Sequence, residues 1–316
     1  MTAGATAQAA EGDRPGRAAG LLVGALMVLS VQDTVAKSLV EDVSLWQFQV
    51  VRSAINAVLL LGVGALIVGG LPRRPIRLWA VVLRTVMINA VMVLFFAGLP
   101  YLTLAEIAAG LHCFPVFVTL IALVLPGERV GWRRILAVGI GITGALMVLK
   151  PGGEGFSAVS LLPIGAGMAY AGFVVVTRRL CRHEHPATLA LAITIGLTVL
   201  GTTGLAVMSL LPMPGAAASW PYLFTGWHPL SGPVLGLIAT CAVLNLSAQL
   251  VMAVAYQTAE SSYLAPFDYS YLVFVTLIGG VVFGEWPDAV AIAGMALIAG
   301  AGTVIALREA RAREAA

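Results

Sequence analysis

The stretch Val116-Phe117-Val118-Thr119-Leu120-Ile121 occurs a second time, unchanged, at Val273-Phe274-Val275-Thr276-Leu277-Ile278. The copies lie 157 residues apart in a chain of 316, so the interval is half the chain. Six residues after each copy comes a Gly-Glu pair, Gly127-Glu128 and Gly284-Glu285. An identical hexapeptide followed at the same distance by the same dipeptide marks a duplicated unit.

The two copies sit in a very apolar chain. Hydrophobic residues make up 59% of it and charged residues 10%, where a soluble domain carries roughly 25% charge. So little charge cannot cover a water-facing surface, and the bilayer is the solvent that fits. A helix crosses it with about 20 mainly apolar residues. Ten such runs, numbered one to ten, fall near 18–38, 45–69, 77–98, 102–125, 132–149, 158–177, 187–211, 232–256, 261–283 and 288–307. They are continuously apolar and lack the alternation of barrel strands, so the expected fold is all-α, with ten transmembrane helices.

Charge sets the orientation. With the N-terminus inside, the arginines of residues 14–17, 73–77, 129–134, 178–182 and 308–313 all fall on the inner side, and only Lys37 and Lys150 lie at outer loops. Both termini are therefore expected in the cytoplasm, with the chain a multi-pass protein of a cell inner membrane. Five runs per half is an odd number, so the second half enters inverted, and two inverted five-helix repeats have two nearly equivalent conformations, one open to each side. The expected organisation is a disordered cytoplasmic tail over 1–17, a first repeat over 18–150, a linker over 151–157, a second repeat over 158–309 and a tail over 310–316. Run six echoes run one at a different interval, in Ala25/Ala166, Met27/Met168 and Lys37/Arg178. The longest loop, Leu211 to Ser231, carries Trp220, Trp227 and four prolines but no Asp, Glu, Lys or Arg, and reads as an outer interfacial loop.

These features resemble the drug/metabolite transporter superfamily, and most closely its EamA-type ten-span carriers. The matching residues are Ala105-Glu106, Pro115 and Gly127-Glu128 in the first half. Ala259-Glu260, Pro266 and Gly284-Glu285-Trp286-Pro287 match in the second, with Arg52 and Thr177-Arg178-Arg179. The resemblance implies a secondary carrier for a small organic metabolite, such as an amino acid, an S-adenosylmethionine-like or vitamin-like solute, or a metallophore. One departure concerns run nine. Pro115 directly precedes its hexapeptide, whereas Pro266 lies seven residues before Val273, which leaves open whether both runs break at the same depth.

A charge or strong dipole inside a bilayer helix costs enough to count as a site hypothesis. Gln49, Arg52, Ser53 and Asn56 share one face of run two. Arg52 there either docks a substrate carboxylate or phosphate through its planar fork or forms an ion pair with Glu106 or Asp33. Asp33, beside Gln32, either neutralises Lys37 one turn on or binds a cationic group. Asp268 follows Pro266, whose ring frees a carbonyl, and Tyr263, Phe267 and Tyr271 recur at a spacing that could stack on a flat solute or simply pack. Asn245, Gln249 and Tyr256 form a polar face on run eight. Glu106 and Glu260 stand at matching positions near opposite membrane faces. His112 either relays protons or bonds a carbonyl. Tyr170 in run six completes the candidate substrate-binding set. The motifs Gly20-x-x-x-Gly24 and Gly280-x-x-x-Gly284, with the glycines of runs five and ten, read as packing sites.

No cofactor and no metal is expected. The three cysteines share no close spacing, and no phosphate-binding Gly-x-x-x-x-Gly-Lys-Ser/Thr loop is present. The expected partners are a small-molecule substrate and the lipid bilayer, and not nucleic acid. Coupling to protons and the choice between monomer and homodimer stay open. The alternatives to a carrier are a membrane-embedded enzyme acting on lipid, which needs clustered His, Asp or Glu, and a channel.

Overall fold

The computed structural model describes residues 15–64, 74–124, 132–150, 157–259 and 261–314. All of its regular structure is helical. Run one is α1 (Pro15–Ser38), run two α2 (Leu45–Leu59) and run three α3 (Leu78–Gly98). Run four is split into α4 (Leu104–Leu111) and α5 (Phe114–Val124), and run five is α6 (Trp132–Leu149). Runs six and seven are α7 (Leu162–Leu180) and α8 (Pro186–Leu210). Two short helices, α9 (Pro214–Ser219) and α10 (Pro221–Phe224), occupy the long loop. Run eight is α11 (Gly232–Thr258), run nine is split into α12 (Ser261–Asp268) and α13 (Ser270–Phe283), and run ten is α14 (Ala289–Glu314). Eight stretches, runs one to four and six to nine, are long and apolar enough to cross a membrane, and runs five and ten supply shorter apolar segments, Ile135–Leu149 and Ala289–Ile305.

Local chemistry explains the ends. Ser44 and Ser231 accept from the backbone N–H three residues on, as N-caps do. Prolines open α7, α8, α9, α10 and α11, where a missing N–H costs nothing. Gly284 closes α13 with φ of 71°, in the left-handed region that glycine enters freely. Its duplicate Gly127, with Glu128, lies outside the described residues, as do Glu260, residues 1–14 and most of the 151–157 linker. Two boundaries move. The first helix already begins at Pro15, before residue 18, and the last continues to Glu314, beyond residue 309.

The helices pack in a pattern that repeats five runs on. Run one lies along run eight, and run six along run three; run one meets run nine, and run six meets run four; run two meets run eight, and run seven meets run three. Runs two and seven, four and nine, and five and ten each pack on their own counterparts. Glycine sets the closest approaches. A Cβ on Gly144 would lie 2.6 Å from the Gly294 carbonyl, and one on Gly167 2.7 Å from the Gly110 carbonyl, so only glycine fits there. Gly141 and Gly144 of run five and Gly294 and Gly302 of run ten pack as expected, whereas Gly139 and Gly300 face open space. Gly20 and Gly24 do not pack either, since a Cβ on either would meet nothing within 4 Å. Gly280 makes room for the Trp286 ring.

Candidate functional site

Both split runs break at the same place relative to the duplicated hexapeptide. The first break is at His112-Cys113 and the second at Tyr269, and Tyr269 lies 157 residues after His112. The shift from Pro115 to Pro266 therefore changes which side of the break the proline occupies and not the break itself. Pro115 stands in the first turn of α5, while Pro266 lies inside α12. The two breaks touch. The His112 ring stacks on Tyr271, with centroids 5.4 Å apart and planes 18° apart, and lies 5.6 Å from the Tyr269 ring. His112 Nδ1 shares a hydrogen bond with the Ala108 carbonyl at 2.8 Å. The Tyr271 hydroxyl donates to Asp33 Oδ2 at 2.5 Å. This joins α1, α4 and α13 through one buried polar chain.

Arg52 lies in a second part of the same core. Gln49, Arg52 and Ser53 are all buried, which agrees with a single inward face. The guanidinium, 2% exposed, lies 5.0 Å from the Phe48 ring centre and 4.7 Å from that of Phe96. It donates to Gln49 Oε1 at 2.7 Å. Neither expected ion pair exists. Glu106 accepts instead from Thr103 in a capping box at the start of α4, and Asp33 is held by Tyr271. Four buried amide atoms lack any partner: Gln32 Nε2, Gln49 Nε2, Asn56 Oδ1 and Asn89 Oδ1. Gln32 Oε1 takes one bond, from Asn245 Nδ2 at 3.3 Å. A buried polar atom without a partner is costly. One of the four, on Gln49, belongs to the side chain that Arg52 contacts, and leaves a donor for a polar guest there.

One end of this core is sealed. The long loop is pinned to α2, with Trp46 Nε1 donating to the Leu223 carbonyl. The Gln47 side chain bonds both the carbonyl and the N–H of His228. Tyr222, on α10 within the loop, is buried, and burial holds its phenol above the ordinary range. Lys37 pairs with Glu285 at 2.5 Å and donates to the Leu102 carbonyl, so it does not neutralise Asp33 as the one-turn spacing suggests. Glu285 also accepts from the Leu104 N–H. A second bridge, Lys150 to Asp288, is exposed, and it holds the Asp288 carboxyl below the usual carboxylate range. Both bridges tie the first half of the chain to the second.

The remaining candidates divide. Asp268 accepts from the Tyr256 hydroxyl at both oxygens, at 2.7 and 2.8 Å. Tyr170 packs on Phe114 and Phe173. Tyr263 and Phe267 lie 5.6 Å apart, but the break at Tyr269 turns Tyr271 away onto His112, so the expected three-ring stack does not form. Gln249 is exposed and leaves the face that Asn245 occupies. Phe96 and Tyr222 escaped the sequence reading because nothing in an apolar or loop context singles out one aromatic ring. The pairing of Lys37 with Glu285 escaped it because the partners are 248 residues apart. Among the described residues no cluster of His, Cys, Asp or Glu could hold a metal ion.

Residues 16–150 match the EamA-like transporter family. The chain is 32% identical to a riboflavin transporter of Rhizobium johnstonii over 68% of this chain and 66% of that protein. It is 29% identical to a riboflavin transporter of Vibrio cholerae, over 58% and 56%. The chain thus spans less than two thirds of the length of these two relatives. A crystal structure 19% identical in sequence superposes with a TM-score of 0.60, covering 94% of this chain and 98% of that one, so the fold is shared. The chain belongs to the EamA-like transporter family, within the drug/metabolite transporter superfamily.

Proposed function

We propose that this chain is an inner-membrane secondary carrier that moves a small organic metabolite by alternating access, with a riboflavin-like solute as the first candidate. All ten runs then cross the membrane as two inverted five-helix repeats, with both termini cytoplasmic and the 211–231 loop outside. The repetition of helix pairings five runs on supports this, because exchange of the two halves leaves such a pattern unchanged. Matching breaks in runs four and nine support it as well, since carriers place their sites where helices are broken at mid-membrane. On this reading the loop seal and the Lys37–Glu285 bridge close the outer side.

The observation that carries the substrate reading is Arg52. A buried guanidinium held between two rings, near enough to Asp33 to feel its charge but forming no salt bridge with it, and beside an unpartnered amide, is prepared for a flat solute that brings acceptors. The imide edge of a flavin presents two carbonyls flanking an N–H, which suits an arginine fork and the free amide atoms of Gln49 and Asn56. The names of the relatives point the same way. Asp268 with Tyr256 is the proposed proton-coupling element, since it stands beside the break and is not tied to a cation. The test is counterflow in proteoliposomes. Preloaded riboflavin should drive saturable uptake of labelled riboflavin. Counterflow of S-adenosylmethionine or an amino acid, without any of riboflavin, would keep the carrier and discard the substrate. Cytoplasmic signal from a reporter fused at residue 222 would overturn the inverted topology.

A further inference from the structure

A cavity of about 600 Å³ opens at the arginine-rich end of the bundle, between the start of α3 and the end of α7. Its walls include Ile76, Arg77, Arg178, Arg179, Arg182 and Glu184. Glu184 is buried and already engaged, since it accepts from the N–H groups of Ile76 at 3.0 Å and Arg77 at 2.7 Å. That clamp fastens the turn before α3 to the turn after α7 and gives the cavity fixed walls. Among the described residues that line the cavity, one carboxylate stands beside four guanidiniums, of which Arg77 and Arg182 are the two assigned to a phosphate. Arginine forks match phosphate oxygens in number and shape.

The rim indicates what kind of phosphate. Ile76, Leu78 and Trp79 are exposed beside Arg77, and Val82 and Val86 continue the exposed apolar surface along α3 at helical spacing. A molecule with its phosphate among the arginines meets an apolar track directly. A soluble anion has no use for that track, whereas a lipid needs it, and an indole beside a charged pocket is the usual marker of the membrane interface. We propose that this cavity holds the headgroup phosphate of an anionic phospholipid, with an acyl chain lying along the Ile76–Val86 edge of α3. The site is separate from the Arg52 core, and the proposal requires only that the chain is embedded in a membrane. A lipid seated there bridges α3 and α7, whose packing joins the two halves.

The full chain in discs of phosphatidylcholine, with and without phosphatidylglycerol, tests this by melting temperature and by mass spectrometry of retained lipid. Wild type should melt higher with phosphatidylglycerol and keep it through purification. The double variant Arg77→Gln/Arg182→Gln should melt like wild type in pure phosphatidylcholine. It should retain phosphatidylglycerol less, by about fivefold for each arginine removed. Equal retention by the variant would overturn the proposal, as would an equal rise in wild type on adding inorganic phosphate to phosphatidylcholine discs. A second reading does not depend on the variant's folding. Phosphatidylglycerol with brominated chains should quench wild-type tryptophan fluorescence more than brominated phosphatidylcholine does, and Trp79→Phe should remove that difference. Equal quenching of wild type by the two lipids would also overturn it.

Discussion

The two broken helices share a backbone and differ in chemistry. Around the first break the residues are Leu111, His112, Cys113, Phe114 and Pro115, and at the same register around the second they are Asp268, Tyr269, Ser270, Tyr271 and Leu272. The breaks coincide and touch, yet the second carries the carboxylate and both phenols, while the first offers one imidazole bonded to its own helix. On the proposed function, duplication preserved the broken backbone that alternation needs and left the polar groups free to diverge. Arg52, Asp33 and Asp268 have no charged counterpart in the other half at the 157-residue interval. On this reading the symmetric features determine which conformations exist, and the asymmetric ones determine what is carried.

The comparison breaks most visibly at Asp268. Asp268→Asn keeps the shape and removes the charge. On the proposed role it should abolish gradient-driven accumulation in proteoliposomes, a loss of about tenfold or more, while substrate-for-substrate exchange continues. Accumulation like wild type would remove Asp268 from coupling, and joint loss of accumulation and exchange would make it a substrate ligand. The first break should respond less. His112→Gln keeps a polar group near the Ala108 carbonyl, and transport should fall only about two- to threefold, the cost of one modest hydrogen bond.

A smaller effect separates the two bridges between the halves. Lys37 and Glu285 are 10% and 22% exposed, against 46% and 52% for Lys150 and Asp288. Removing one partner of a fully buried pair costs about 3–5 kcal/mol. The partly exposed Glu285 should contribute about 1–2 kcal/mol after allowance for screening, and mainly in the outward-closed state. Glu285→Gln should raise labelling of a cysteine placed at Leu102 from the outer side, and unchanged labelling would discard the bridge as a gate. The smallest effect belongs to Asp288. Its depressed pKa means that any stabilisation is present above the ordinary carboxylate range and fades as pH falls through the folded value. Because the group is half exposed and its partner equally so, Asp288→Asn should leave the melting temperature unchanged at neutral pH, and wild type and variant should coincide in acid.

Much of the scaffold is legible in the sequence because hydrophobic length and charge placement act locally. Helices lie under all ten apolar runs, and a serine or proline cap accounts for several of their starts. The site was legible only as a set of costly residues. Arg52, Gln49 and Gln32 identify themselves because polar groups in apolar helices demand a reason. Their partners do not, because pairing is decided by distant segments. Spacing invited Lys37 to pair with Asp33 and Tyr271 to stack with Phe267. In the fold Glu285 reaches Lys37 across the halves, and the break at Tyr269 rotates Tyr271 away. Periodicity fails where a helix is interrupted, and here the interruption lies at the candidate site.

On the proposed function Arg52 waits for a substrate and does not merely pack. Melting of purified wild type and Arg52→Lys, each with and without riboflavin, tests it most directly. A ligand at 100 times its Kd stabilises by about 2.7 kcal/mol. The account predicts a clear rise for wild type. For Arg52→Lys it predicts an unshifted ligand-free melting temperature and a rise that needs about tenfold more riboflavin, because a point charge replaces a fork. An undiminished rise at the same riboflavin concentration in Arg52→Lys would contradict it.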